Sequence, residues 1–267
     1  MSKLDNMLSK KSLIVLVIVL LLVLLILFLN ASSGVTRNYK GFSVSTFSES
    51  FINVHLISDG TNHFLIDSGL DKQFGKIEKF LLDHRVDPKN LKAIIVTHGH
   101  HDHAGTAAYF QNKYGIKIIG GAGDLKLFDQ GKNDRLCSTG TLASLRHPLD
   151  QSGKYPTFTP DIVINNRAEL APITGISGFI EPVPGHTEGS LVIVVGKVAF
   201  VGDMFRGSMT RKDKAEMHFY QCNITKLKEG LEKTLKQLAL NVDIFFPSHM
   251  GPVSRKSVEN LLNEMVP

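Results

Sequence analysis

The chain has 267 residues, 43% of them hydrophobic and 21% charged, with a net charge of +5. Setting aside an N-terminal apolar run leaves enough chain for one domain with a sizeable core, and no room for a second. The charge is mild, and three Lys against one Asp fall within the first eleven residues, so composition gives no reason to expect nucleic-acid binding.

From Leu13 to Leu29 every residue is Leu, Ile, Val or Phe. As a helix at about 1.5 Å per residue the run spans roughly 25 Å, close to bilayer thickness once its flanks are added. A soluble helix would keep a polar stripe, and this run has none. Lys3, Lys10 and Lys11 precede it, which holds the N-terminus in the cytoplasm and sends the rest across. The predicted organisation is a cytoplasmic N-terminus at 1–12, a transmembrane signal anchor at 13–30, a linker at 31–40 and a folded domain at 41–267 on the extracytoplasmic side. The run is longer than a cleaved h-region of about 7 to 15 residues, which favours an anchor. Ala31-Ser32-Ser33 nonetheless offers a peptidase a small-residue site, and cleavage would leave a secreted or periplasmic protein.

Beyond the linker, strands are predicted near Ser43 to Phe47, Asn53 to Ile57 and Phe64 to Ile66. A helix follows from about Lys72 to His84, with Phe74, Ile77, Leu81 and Leu82 on one face. The β-branched run Ala93-Ile94-Ile95-Val96 reads as a buried strand, and it opens directly into Thr97-His98-Gly99-His100-His101-Asp102-His103-Ala104-Gly105. In extended backbone, side chains two apart share a side, so His98 and His100 can grip one ion while Gly99 lets the chain pass closely. Asp102 and His103 then face a neighbouring position. Imidazole and carboxylate together suit zinc, and also iron or manganese, better than calcium or magnesium.

Further on, a helix is predicted at Gly105 to Lys113, a strand at Ile116 to Ile119 and a short helix near Asp124 to Gln130. Three later strands each end in a candidate ligand. Phe179 to Val183 leads to His186, Val198 to Val201 to Asp203, and Ile244 to Phe246 to His249. A strand at Leu191 to Val195, a helix from Thr225 to Leu240 and a terminal helix carrying Val258, Leu261, Leu262 and Met265 complete the pattern.

With these residues in place the chain resembles the metallo-β-lactamase fold superfamily over about residues 40 to 255. His98, His100, Asp102 and His103 match its HxHxDH signature, and Phe64-Leu65-Ile66-Asp67-Ser68-Gly69 resembles its early strand and aspartate turn. The resemblance implies an α/β fold, a four-layer αββα sandwich, with two metal ions. One would take His98, His100 and His186, the other Asp102, His103 and His249, and Asp203 would bridge them. Two ions about 3.5 to 4 Å apart share a water and lower its pKa, so that the nucleophile is a metal-bridging hydroxide. Asp102 is the residue placed to orient that hydroxide or carry its proton. Asp67 either supports a ligating imidazole or is an ordinary turn residue.

The expected function is hydrolysis of an ester, lactone, thioester or small phosphodiester outside the cytoplasm, as in the glyoxalase II and lactonase-like branch. A β-lactamase is the first alternative, disfavoured because true metallo-β-lactamases typically carry Cys or Ser at the position of Asp203. An iron-dependent redox enzyme of the same fold is the second. A non-catalytic tethered module is disfavoured by the intact ligands.

Two segments break the pattern. Gly131 to Ala171 reads as a long irregular connection, with Pro148, Pro156 and Pro160, that can cover the site. Arg206 to Cys222 carries Arg206, Arg211, Lys212 and Lys214 before His218-Phe219-Tyr220. It suits an anionic substrate tail or a hydrogen bond to an oxyanion, and equally a solvated loop with an aromatic on the core. Cys137 and Cys222 are either one disulfide or two buried thiols. His55, His63, His84 and His147 read as structural or surface residues, and His101 as pointing away from the metals. The oligomeric state is open.

Overall fold

The computed structural model describes residues 13–20 and 33–265. Seven strands form the first sheet in chain order: β1 (Ser33–Tyr39), β2 (Phe42–Glu49), β3 (Ile52–Ser58), β4 (His63–Ile66), β5 (Leu91–Ile95), β6 (Lys117–Gly121) and β7 (Ile162–Ile164). β1 to β4 are antiparallel and β4 to β7 run parallel. A parallel step needs a crossover. Between β4 and β5 it is supplied by α1 (Phe74–Asp83), which buries Ile77, Phe80 and Leu81 at helical spacing.

Between β5 and β6 come the short α2 (His101–Ala104) and α3 (Ala107–Tyr114), and beyond β6 come α4 (Leu125–Gln130), α5 (Thr141–Gln151) and α6 (Ala171–Thr174). The second sheet has β8 (Ala168–Glu169), β9 (Phe179–Pro182), β10 (Leu191–Val195) and β11 (Val198–Gly202). The pair β12 (Arg206–Gly207) and β13 (Ala215–Glu216) stands apart, and β14 (Ile244–Pro247) with β15 (Val253–Ser254) closes the second sheet in the order β15-β14-β11-β10-β9-β8. Helices α7 (Ile224–Lys233) and α8 (Arg255–Glu264) cover it.

Three apolar cores separate four layers. One joins the first sheet to α1 and α3 through Leu56, Leu65, Ile94 and Phe110. The middle one lies between the sheets, with Ile57, Ile66, Ile95, Ile193 and Phe200. The third packs the second sheet on α7 and α8 through Val201, Leu227, Leu231 and Val258. Strands β10 and β11 are buried at every position, which is why they read as continuous apolar runs and not as alternating ones. The expected αββα sandwich is what the chain forms.

Several boundaries differ from expectation. Residues 33–39, expected within a linker, form β1 and pair with β2 along its whole length. Its sequence Ser-Gly-Val-Thr-Arg-Asn-Tyr lacks an apolar alternation because it is an edge strand, tied by Thr36 Oγ1 to Ser45 Oγ at 2.8 Å. The helix expected at 105–113 is α3 at 107–114, and the short α2 precedes it, beginning inside the histidine motif. The connection 131–171, expected as irregular, holds the eleven-residue α5. That helix buries only Ala143, so no periodic apolar face pointed to a core. The helix expected at 225–240 ends as α7 and continues as a wider π turn at Thr234–Leu238. The expected N-terminus at 1–12 and most of the span 13–30 lie outside the described residues. Residues 13–20 are helical, and among the described residues no helix is long and apolar enough to cross a membrane.

His55 sits in the middle core between the rings of Phe200 and Phe246, with Nδ1 3.0 Å from Thr46 Oγ1. Burial pushes its pKa down to about 4, so the ring is neutral in the fold. The unfolded chain gains that proton near pH 6.5. Its contribution is therefore complete above about pH 6.5 and is lost as pH falls toward 4, by up to about 3 kcal/mol. Urea midpoints measured across this window should fall steeply for the natural protein and more gently for His55→Phe.

Candidate metal centre

The carboxyl ends of β5, β9, β11 and β14 meet at one edge, and every candidate ligand follows one of them. β5 runs into His98 and His100, β11 into Asp203, β14 into His249, and β9 into the turn bearing His186. The two sheets are tied there by Leu191 N–H to Thr97 O (2.9 Å) and Asn53 N–H to Ser248 O (2.8 Å), while Ser248 N–H to Gly202 O (3.0 Å) joins the ends of β14 and β11 within the second sheet. Gly99 is required for the tight passage. A Cβ there would lie 2.7 Å from Leu127 Cβ.

All seven expected residues come together. His98 Nε2 is 3.2 Å from His100 Nδ1, which is 3.0 Å from His186 Nε2. Nitrogens bound tetrahedrally to zinc at about 2.05 Å lie about 3.3 Å apart, so this triangle fits one ion. His103 Nε2 and His249 Nε2 each lie 3.4 Å from an Asp102 oxygen, a second donor group. Asp203 Oδ2 stands between the groups, 3.7 Å from His98 Nε2, 3.6 Å from His186 Nε2, and 3.3 Å from both His103 and His249 Nε2.

The outer nitrogens show why these rings face inward with free lone pairs. His103 Nδ1 donates to Asp67 Oδ2 at 3.0 Å, His100 Nε2 to Asp134 Oδ1 at 2.8 Å and His249 Nδ1 to Phe51 O at 3.0 Å. Thr97 Oγ1 donates to Asp67 and so accepts from His98 Nδ1, 3.1 Å away. With the protons of His98 and His100 directed outward, their buried lone pairs face each other across 3.2 Å, which is unfavourable unless a cation lies between them. Among the described residues His103 Nε2 and Asp203 Oδ1 have no hydrogen-bond partner although buried. The donor set fits two divalent ions.

Asp67 is therefore not an ordinary turn residue. It is fully buried at φ 63°, a left-handed backbone that a non-glycine residue adopts only when held. It accepts from Thr97 N–H (2.8 Å), Ser248 Oγ (2.6 Å) and His103.

The electrostatics follow from too few carboxylates among many imidazoles. Burial lowers His98 and His186 far below the ordinary value, and neighbouring imidazoles add to it. Burial also acts against His103 and His249, yet Asp203 and Asp102 outweigh it and raise them, His249 to about 10. Burial would raise the Asp102 and Asp203 carboxyls, but the surrounding histidines hold both well below the usual range. Both aspartates are thus ionised and ready to ligate.

Residues outside the expected set complete the site. His218 is buried, with Nε2 3.1 Å from Asp203 Oδ2, and with His186 and Asp203 it forms a further potential ligand group. Sequence placed it only in a basic loop, because no apolar run precedes it and the strand before it, β13, is two residues long. Asp124 accepts from Gly99 N–H, Thr187 Oγ1 and Gly189 N–H at 2.7 to 2.8 Å, binding the loop of His100 to that of His186. Asn133 Oδ1 accepts from His101 N–H at 2.8 Å, and His101 itself points away from the metal positions toward Asn133. The signals for Asp124 and Asp134 were weak, one acid after a strand and one in an unpatterned segment.

The segments 131–171 and 206–222 are joined. Cys137 and Cys222 form a disulfide across 85 residues, with Cα atoms 4.9 Å apart. Thr139 N–H to Phe219 O (2.9 Å), Gln221 N–H to Cys137 O (2.8 Å) and Thr139 Oγ1 to His218 O (2.7 Å) reinforce the link.

The Metallo-beta-lactamase superfamily model matches residues 48–249. The chain belongs to that superfamily. Among curated superfamily relatives, it is 30% identical over 160 residues to the hydroxyacylglutathione hydrolase GloC of Haemophilus influenzae, covering 58% of this chain and 67% of that one. It is 24% identical over 230 residues to the probable metallo-hydrolase YflN of Bacillus subtilis, covering 79% and 84%. The fold is shared with BJP-1, a subclass B3 metallo-β-lactamase of Bradyrhizobium japonicum, at TM-score 0.59 and 16% identity over 83% of this chain and 87% of that one. MIM-1 from Novosphingobium pentaromativorans gives TM-score 0.59 and 19% identity over 87% and 81%. This superfamily member is a metal-dependent hydrolase.

Proposed function

We propose that the protein is a dinuclear hydrolase, tethered to a membrane by residues 13–30 with its domain outside the cytoplasm, acting on an ester, lactone, thioester or small phosphodiester. The observation that carries the chemistry is the inward triangle of His98, His100 and His186 beside Asp102, His103, His249 and Asp203, with the outer nitrogens of four rings already engaged. The thioester-hydrolysing name of the GloC relative and the Asp203 carboxylate favour this class over β-lactams. The disulfide favours an oxidising compartment.

Two divalent ions, most simply zinc, would supply Lewis acidity and a water acidified toward neutrality. His98, His100 and His186 would hold one and Asp102, His103 and His249 the other, with Asp203 between them. Asp102 and Asp203 both line the pocket, and Asp102 is the more exposed, at 18% of its side chain against 2%, so it is the carboxylate placed to orient the attacking water and take its proton. The pocket is about 300 Å³ and includes Lys72, Arg146, Phe51, Phe219 and Tyr220, which suits a small acyl or phosphoryl group with an anionic part.

His218, with Nε2 3.1 Å from Asp203 Oδ2, is placed to serve as a donor at this centre. Tyr220 N–H donates to its Nδ1 at 3.2 Å, and burial pulls its pKa down to about 4. The ring is neutral with its proton on Nε2, facing Asp203. His218→Phe should lower kcat by about 10²-fold while the metal content stays at two per chain. A loss of one ion would make His218 a ligand instead.

The test of the assignment is elemental analysis of the full chain purified in detergent, with a panel of chromogenic thioester, lactone, ester, phosphodiester and β-lactam substrates. Two ions and turnover of one of the first four are expected. Turnover of the β-lactam alone would reverse the ranking, and stoichiometric iron with oxygen uptake and no hydrolysis would remove the hydrolase reading.

A further inference from the structure

The mouth of the metal pocket and the start of the folded domain lie at the same end of the molecule. β1 runs antiparallel to β2, and its first residue, Ser33, pairs with Ser48. Two and three residues beyond Ser48 are Ser50 and Phe51, which line the pocket. Only three residues separate Ser33 from Leu29, the last of the apolar run. Fully extended, that connection reaches about 14 Å. A bilayer holding residues 13–29 must therefore lie within about that distance of the start of β1, at the site's rim.

A second, independent feature occupies the same rim. Helix α5 places Arg146 and Asp150 in the pocket wall and buries Ala143. Its outer side presents Leu142, Leu145 and Leu149, which are 47%, 75% and 76% exposed. At spacings of three and four residues they form one stripe. Leu142 extends the stripe into an open groove of about 780 Å³ that also contains Met209 and Ile224. An apolar helix face beside basic residues is the pattern that beds into a headgroup layer, and Lys72 and Arg146 at the mouth suit anionic lipid.

We propose that the α5 leucine face rests in the surface of the same bilayer that holds residues 13–29, so that the metal pocket opens toward lipid. This rests on the anchor proposed above. A second copy of the chain is a less suitable occupant, because the short tether already fixes this face close to the membrane.

The sequence has no tryptophan, so one substitution makes a unique fluorescent reporter. Leu145→Trp and Leu149→Trp, made separately in the full-length holoprotein, alter open surface and leave the core intact. Leu240→Trp is the control. It is 62% exposed and precedes β14, at the end of the second sheet away from His249. Each protein is reconstituted into equimolar phosphatidylcholine and phosphatidylglycerol vesicles, with and without bromine on the acyl chains.

Both α5 reporters should be blue-shifted and quenched at least about twofold by the brominated lipid, while the Leu240→Trp reporter is unaffected. If the protein floats with the vesicles but the α5 reporters are quenched no more than the control, the orientation is overturned and the anchor stands. A blue shift without bromine quenching assigns the face to a protein partner and also overturns it. Failure to float removes the anchor and the orientation together. Hydrolysis is not read in any arm, so the assignment of the site is tested separately.

Discussion

Asp203→Asn should abolish turnover, by at least about 10³-fold in kcat/KM, and reduce bound metal below two ions per chain. The reason is geometric. Asp203 Oδ2 lies within 3.7 Å of five imidazole nitrogens, from His98, His103, His186, His218 and His249. No other carboxylate reaches both halves of the centre, since Asp102 contacts only His103 and His249 among the ligands. A neutral amide keeps the shape and removes the charge that two cations need between them. Elemental analysis and steady-state kinetics on the same preparation check both parts. Activity within a few-fold of the natural protein with two ions retained would remove Asp203 from the bridging position.

The second large effect is on stability. Reducing the disulfide, or replacing both cysteines by Ser, should lower the unfolding free energy by about 3 kcal/mol. Closing a loop of 85 residues constrains the unfolded chain by about 4 to 5 kcal/mol in the chain-entropy account, and observed values run somewhat lower. Cys137 and Cys222 are the only cysteines in the sequence, so a reductant has no other target. Urea unfolding with and without reductant should separate for the natural protein and coincide for the Cys137→Ser, Cys222→Ser double variant. The same treatment should slow turnover. The cross-link sits four residues from His218 and the paired backbone of Ser138 with Tyr220 lies between them, so loosening it frees the ring that faces Asp203. Identical unfolding curves for natural and reduced protein would show that the hydrogen bonds of Thr139 and Gln221 hold the two segments unaided.

The legibility of the site differed from residue to residue for physical reasons. His98, His100, Asp102 and His103 sit together after a β-branched strand, so local sequence carries both their identity and their placement. His186, Asp203 and His249 each terminate an apolar strand, and parallel strands deliver their carboxyl ends to one edge. His218 follows only the two-residue β13, which belongs to neither large sheet. It reaches the centre because a disulfide and several backbone hydrogen bonds draw its loop inward, and those contacts join residues about 80 positions apart. Asp134 and Asp124 were hidden for the same reason, since each supports a ligand loop distant in sequence.

The fold shows the same division. The runs of β10 and β11 are apolar at nearly every position because both faces are covered, and α1 shows its buried side at helical spacing. Those elements were readable from local pattern alone. β1 and α5 were not, since one is a polar edge strand and the other turns its leucines outward.

By itself the sequence determined the strand runs, the helical faces, the seven residues suited to two metals and the long apolar segment that precedes the domain. Each of these depends on neighbours a few positions away. The tertiary structure alone decided that the cysteines pair, that Asp67 fixes the His103 ring, that His218 joins the centre, and that the chain enters the domain at the rim of its own active site. These depend on contacts between distant segments, and such contacts exist only once the two sheets have packed.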